Sequence, residues 1–290
     1  MVLQSPLKVQ VLVSALNKDI STLPSQMNIK TDAVIVNQCD RYDYQEFSIS
    51  SDTDKKSETD IDISCNDEMS SGRIQCFCMP ERGVGLSRNT ALLHADADIC
   101  LFSDEDIVLA KGYAEQIKTA YMKYPDADML LFNVKVSETR RTYWNDDVKR
   151  IRWYNYGRYP AYSISGKLDA FRRSNAHFSL LFGGGAKYSN GEDSLFLRDC
   201  IKAGLKIYAL PICIGEEVER ESTWFHGYTE KFFTDRGVLY YYLYGKMATV
   251  FALRFLIKNK AEMCADISVK KAYRLMMEGI RSQRKPIRSN

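Results

Sequence analysis

No stretch of the sequence reaches the ~20 uninterrupted apolar residues that a membrane-spanning helix needs. The nearest, 238–257, is broken by Lys246 and Arg254. Residues 1–13 carry Lys8 as their one cation and no clear cleavage site, so they read as the lead into a strand rather than as a signal peptide. None of the eight cysteines forms a CxxC pair, and His94, His177 and His226 are scattered. That spacing excludes an ordinary structural zinc site. Cys76, Cys100 and Cys213 lie in apolar runs, where a thiol behaves as a small hydrophobe, and the set is expected to be reduced, as in a cytoplasmic protein. Net charge is also small. With 40 Lys and Arg against 37 Asp and Glu, the formal +3 gives no global field that would select nucleic acid as a partner.

What is present is an ordinary globular composition, 45% hydrophobic and 27% charged over 290 residues, enough for one or two domains. Val9-Gln10-Val11-Leu12-Val13 and Ala33-Val34-Ile35-Val36 read as strands, with room between them for a helix around 20–27 despite Pro24. Strand, helix, strand at this spacing is a βαβ unit and implies a parallel sheet with covered faces. Residues 49–72 are dominated by Ser, Asp, Thr, Lys and Glu, the composition of a solvated loop. Arg73–Met79 reads as a third strand, followed by a helix over 86–95 and a buried strand Ile99–Phe102. A helix over 113–124 and a strand over 129–134 continue the alternation. Residues 137–162 are rich in Arg, Tyr and Trp and have no clean period. A helix over 194–203 ends at Gly204, a strand over 206–210 is expected to stop at Pro211, and the rest reads as helical and basic. The expected architecture is α/β, with a catalytic domain over 1–235 and a helical extension over 236–290.

Asp104-Glu105-Asp106 lies just past the carboxyl end of an apolar strand, where open α/β sheets bind ligands. Two carboxylates one residue apart on a turn can converge on a hard divalent cation and bridge it to a diphosphate; an acidic first turn favoured by the helix dipole gives the same pattern. Gly191-Glu192-Asp193 sets two more carboxylates at a helix start, where one that reaches an acceptor hydroxyl acts as general base. Gly83-Val84-Gly85-Leu86-Ser87-Arg88-Asn89 is not the dinucleotide fingerprint, because Arg88 replaces its third glycine. Gly183-Gly184-Gly185-Ala186-Lys187 is not a P-loop, since no glycine directly precedes the lysine and no Ser or Thr follows it.

In order along the chain, VQVLV at 9–13, VNQCD at 36–40, GLSRN at 85–89, FSDED at 102–106 and GEDSLF at 191–196 resemble family 2 glycosyltransferases, particularly the bacterial enzymes that build surface polysaccharides. The likeness covers roughly residues 8–235. It implies a GT-A fold and transfer of a sugar from a nucleotide-diphosphate sugar, a UDP-sugar first, to a hydroxyl of a glycan or lipid-linked glycan. It also implies inversion and dependence on Mn²⁺ or Mg²⁺. By the same resemblance Asp193 is the catalytic base and Glu192 the second choice. Asp104 serves both donor and metal, and Asp106 holds the metal. Ser14, Asn17, Asn37, Asp40, Arg88, Asn89 and Glu105 line the donor site. Many relatives carry an aspartate where Asn37 stands. Many also supply a metal-binding histidine after the strand at 206–210; here a glutamate of 216–219 or His226 takes that place.

The basic carboxyl-terminal part, with the run Tyr240-Tyr241-Tyr242 and nearby Phe251 and Phe255, either packs on the catalytic domain or rests on an anionic membrane surface, at the inner face of the membrane. A sugar nucleotidyltransferase would carry a glycine-rich loop after the first strand, where Ser14-Ala15-Leu16-Asn17-Lys18 stands instead. A non-catalytic sugar-nucleotide or glycan-binding module would not need Asp104, Asp106 and Asp193 together.

Overall fold

Continuous burial of the first strand organises everything around it. The computed structural model describes residues 7–49, 72–138, 141–218 and 227–284; the acidic loop expected at 49–72 and His226 fall almost wholly or wholly outside them. β1 (Val9–Leu16) pairs in parallel with β2 (Asp32–Gln38) on one side and β5 (Ile99–Asp104) on the other. β2 pairs in parallel with β4 (Gly72–Met79), whose outer edge is taken by antiparallel β3 (Asp43–Ile49). Beyond β5 come β9 (Ile164–Lys167), β7 (Met129–Lys135), β10 (Ile207–Glu217) and β6 (Ile107–Leu109), with β8 (Lys149–Ile151) also on β10. β9 runs antiparallel to both neighbours, so the sheet is mixed rather than wholly parallel.

Side chains of a strand alternate between faces, and here both faces are apolar. Val11, Val13, Ile35, Ile74 and Leu101 point to one core, shared with α1 (Leu23–Gln26) and α3 (Tyr113–Lys123). Leu12, Val34, Val36, Cys100 and Phe102 point to the other, shared with α2 (Val84–Leu93), α4 (Leu168–Ser174) and α5 (Glu192–Lys202). The result is an α/β sandwich of three layers, with the carboxyl ends of β1, β2, β4 and β5 along one rim.

Two local expectations change. The first helix shrinks to four residues, because Pro24 can only occupy its opening turn. β10 does not stop at Pro211: it continues to Glu217 through a register shift between Ala209 and Cys213, where the missing N–H of proline does no harm. Cys213 is consequently exposed rather than buried.

The chain closes in α6 (Glu230–Tyr244), α7 (Ala248–Met263) and α8 (Val269–Arg284), around a core of their own that includes Phe232, Phe233, Leu256, Met276 and Ile280. α6 spans the expected division at 235/236. Its opposite face, through Val238 and Leu239, packs on Phe182 and Leu195 beside the sheet. Among the described residues no helix is long and apolar enough to cross a membrane.

Candidate active site

The glycines after β4 set up the site by letting neighbouring segments pack closely. Gly83 has φ +141°, and its N–H donates to Gln38 Oε1 at 2.6 Å. Val84 N–H donates to the Gly184 carbonyl at 3.0 Å. The first two amides at the start of α2, those of Gly83 and Val84, are thereby satisfied within the protein. A Cβ on Gly85 would meet the Ser179 carbonyl oxygen at 2.4 Å, and one on Gly183 would meet Val84 Cγ1 at 2.6 Å and Glu192 Cδ at 2.8 Å. Small residues here let the 178–185 segment lie against α2, and α2 in turn aims Arg88 inward.

Arg88 is the hub. Its side chain is only 5% exposed and lies over the Phe178 ring. Nη2 donates to Asp104 Oδ1 at 2.9 Å, while Nη1 donates to Asp193 Oδ1 at 2.9 Å and Glu192 Oε1 at 3.0 Å. Its partners stand 16, 105 and 104 residues along the chain, at the end of β5 and the start of α5. One cation thus faces three carboxylates, a local excess of negative charge in a partly dry site. Burial alone would disfavour the guanidinium charge, but Asp104, Asp193 and Glu192 more than offset it and hold Arg88 firmly protonated. Burial, then the Glu192 charge, pushes the Asp193 carboxyl well above the ordinary carboxylate range; Arg88 pulls the other way, and Asp104 adds to the rise.

Two neighbours carry no signal in the sequence. The short 3-10 turn Ala161–Ser163 brings the Ala161 N–H onto the Asp193 carboxylate. Burial, with smaller contributions from Tyr143, Glu217, Asp104 and Asp193, raises the Tyr162 phenol, so this hydroxyl keeps its proton beside the acids. Both lie in the stretch that reads as aperiodic.

The remaining expected residues divide. Ser14 is adjacent to Asp104 in the β1–β5 register. Asn17 adopts the left-handed region, φ +50°, and its N–H donates to the Gln38 carbonyl at 3.1 Å. Asn37 is buried, and its amide is held on the turn that follows β1: Oδ1 accepts from Lys18 N–H at 3.0 Å and Nδ2 donates to the Lys18 carbonyl at 2.9 Å. Glu105 likewise turns inward, accepting from Leu16 N–H at 2.5 Å and pairing with Lys18 at 3.6 Å. Asn89 faces the 178 segment, with Nδ2 on the Phe178 carbonyl at 2.9 Å and Oδ1 accepting its N–H at 2.8 Å. Asn37, Glu105 and Asn89 therefore shape the walls. Asp40 stands out in solvent, 94% exposed, paired with Arg82 at 2.9 Å.

Asp106 occupies the turn between β5 and β6. Its carbonyl accepts from Val218 N–H at 2.8 Å, and β10 runs antiparallel past it, with Glu217 opposite Ile107. The carboxyl end of β10 thus returns to the acidic turn. Among the described residues no three His, Cys, Asp or Glu side chains are arranged to hold a metal ion by themselves.

No protein-family model matches this chain, and no curated protein does. Among solved structures, residues 1–349 of S. aureus TarS in complex with UDP-GlcNAc superimpose with a TM-score of 0.59 at 13% identity, over 94% of this chain and 81% of that one. The complex of the same TarS segment with UDP gives 0.54 at 12% identity, over 95% and 82%. A longer TarS structure gives 0.55 at 12% identity, over 91% of this chain but 46% of its own. The likeness is one of fold: a large central sheet with flanking helices, GT-A-like in architecture.

Proposed function

We propose that this chain is a glycosyltransferase of the family 2 kind, moving a sugar from a nucleotide-diphosphate sugar, a UDP-sugar first, to an acceptor hydroxyl on a glycan or lipid-linked glycan. One observation carries the reading: Arg88 gathers Asp104 from the strand end and Glu192 and Asp193 from the helix start within 3.0 Å of one guanidinium. The GT-A-like fold shared with TarS structures that hold UDP-GlcNAc and UDP supports it.

In the proposed reaction the acceptor oxygen bonds to the anomeric carbon as the bond to the diphosphate oxygen breaks. The leaving diphosphate keeps the electron pair, and the acceptor proton passes to Asp193. Attack from the opposite face inverts the anomeric centre. Asp193 suits the task because its surroundings raise its proton affinity above that of a free carboxylate. Arg88 and the Ala161 N–H hold it in place, with Glu192 as the alternative base. Tyr162 keeps a proton near the reacting groups.

The donor set of a cation site fits Mg²⁺ or Mn²⁺: Asp104 and Asp106 offer hard oxygens, and such ions commonly combine one or two carboxylates with substrate phosphates. His226 or Glu217 would complete the set. Such an ion, when bound, would neutralise charge growing on the leaving diphosphate. Nucleotide release from a panel of nucleotide sugars, with Mg²⁺ or Mn²⁺ and with EDTA, tests the proposal. Metal-dependent release from at least one sugar, lost in Asp106→Ala, is expected. Binding without release across the panel would instead make this a sugar-nucleotide-binding module.

A further inference from the structure

An amphipathic helix on a folded protein normally buries one apolar stripe and shows water a polar one. α7 departs from this. Ala248, Ala252 and Leu256 are buried in the helical core, yet Val250, Leu253 and Ile257 remain 57%, 45% and 61% exposed, and Met247 just before the helix 52%. At 3.6 residues per turn these four fall on one outward side, about 15 Å long. Arg254 lies among them, and Lys258 and Lys260 fall at opposite margins. Lys246 adds a further cation just before the helix, and Glu262 is the one acid in α7.

The other parts of the carboxyl-terminal region do not share this character. Tyr240 packs edge-on against Phe255 and Tyr244 stacks on Phe251, inside the helical unit, so these two tyrosines serve the fold. α8 buries its apolar side, Leu275, Met276 and Ile280, and turns out Lys270, Lys271, Arg274, Arg281 and Arg284, which adds positive field without an apolar face.

We propose that the outward face of α7 lies on an anionic lipid surface, with Val250, Leu253, Ile257 and Met247 at the acyl boundary and the flanking cations among the headgroups. Charge selects this occupant over a second copy of the chain. Self-pairing along the stripe would set Arg254 and Lys258 against like charges, whereas acidic lipids neutralise them. The inference is independent of the reaction proposed at Arg88, since it concerns only where the protein sits.

Co-sedimentation of the full chain with vesicles tests it. Binding is expected to phosphatidylcholine vesicles containing about one third phosphatidylglycerol, not to phosphatidylcholine alone, and to weaken with salt. Val250→Asp with Ile257→Asp should lower partitioning about tenfold or more, with circular dichroism and melting unchanged because both positions are exposed. Lys258→Glu with Lys260→Glu should lower it while leaving the apolar stripe intact. Equal binding to neutral vesicles, or wild-type binding by the Val250/Ile257 variant, would overturn the proposal. So would a dimer that this variant dissociates in a protein that ignores vesicles.

Discussion

Asp193, the buried Arg88 and the half-buried Arg236 show how charge is managed residue by residue. Asp193 holds its proton more tightly in the folded chain than in the unfolded one. Stability therefore declines as pH rises from the ordinary carboxylate range through the raised value. As a base it must be ionised, so kcat/KM should fall as pH drops through that same raised value, giving an acid limb above the ordinary carboxylate range. Asp193→Asn, always neutral, is expected to melt at or above wild type at neutral pH while losing ~10²–10⁴-fold in kcat; retained transfer would remove Asp193 from the mechanism. Arg88 and Arg236 make an instructive contrast. Arg88→Met leaves three clustered carboxylates without their cation and should destabilise by about 3–5 kcal/mol in urea titration. Arg236 lies over the Phe232 and Phe255 rings, its Nε has no partner, and burial lowers its proton affinity. Among the described residues it has no ion pair, so Arg236→Met should change stability by only about 1 kcal/mol.

At the scale of elements, the α6–α8 crossing depends on two missing side chains. A Cβ on Gly237 would meet the Met276 carbonyl oxygen at 2.1 Å, and one on Gly279 the Thr234 carbonyl oxygen at 2.1 Å. Backbone cannot yield as a flexible side chain can, so Gly237→Ala should destabilise by about 1–3 kcal/mol despite the better helix propensity of alanine; an unchanged melting temperature would show that the crossing is looser. Elements of this kind differ in how plainly the sequence announces them. β5 and its acidic end were legible because a continuous apolar run terminates abruptly in Ser103 and Asp104. β3 was not, because an edge strand reading DYQEFSI is mostly exposed and has no apolar period. β10 runs past the point where the sequence suggests an end, since Pro211 stops a central strand but is tolerated at a bulge. Both acidic pairs were visible as motifs. Their meeting on Arg88 was not, because the direction of an inward side chain is decided by how α2 packs on the sheet and on the 178–185 segment. For the same reason the amides of Asn37 and Asn89, ordinary polar residues in the sequence, prove to be turned onto backbone.

For the molecule as a whole, the helical extension supports the sheet instead of trailing from it. Asp235 of α6 accepts from the Ser189 N–H at 3.0 Å and its hydroxyl at 3.1 Å. Gly191, with φ +117°, is pressed so closely to α6 that a Cβ there would meet Leu239 Cδ2 at 2.4 Å. The 189–191 turn is the one that delivers Glu192 and Asp193. A chain ending at residue 229 is therefore expected to lose nucleotide-sugar turnover and to unfold at a lower temperature, although every acidic residue of the site remains; full turnover would show that the turn holds itself. The two sides of α6 answer to different cores, the sheet on one and α7 with α8 on the other. Recombination that exchanged everything past Asp235 would sever a helix shared by both, so the halves of this gene are bound to diverge in step, and a foreign tail could be inherited only together with the turn it braces.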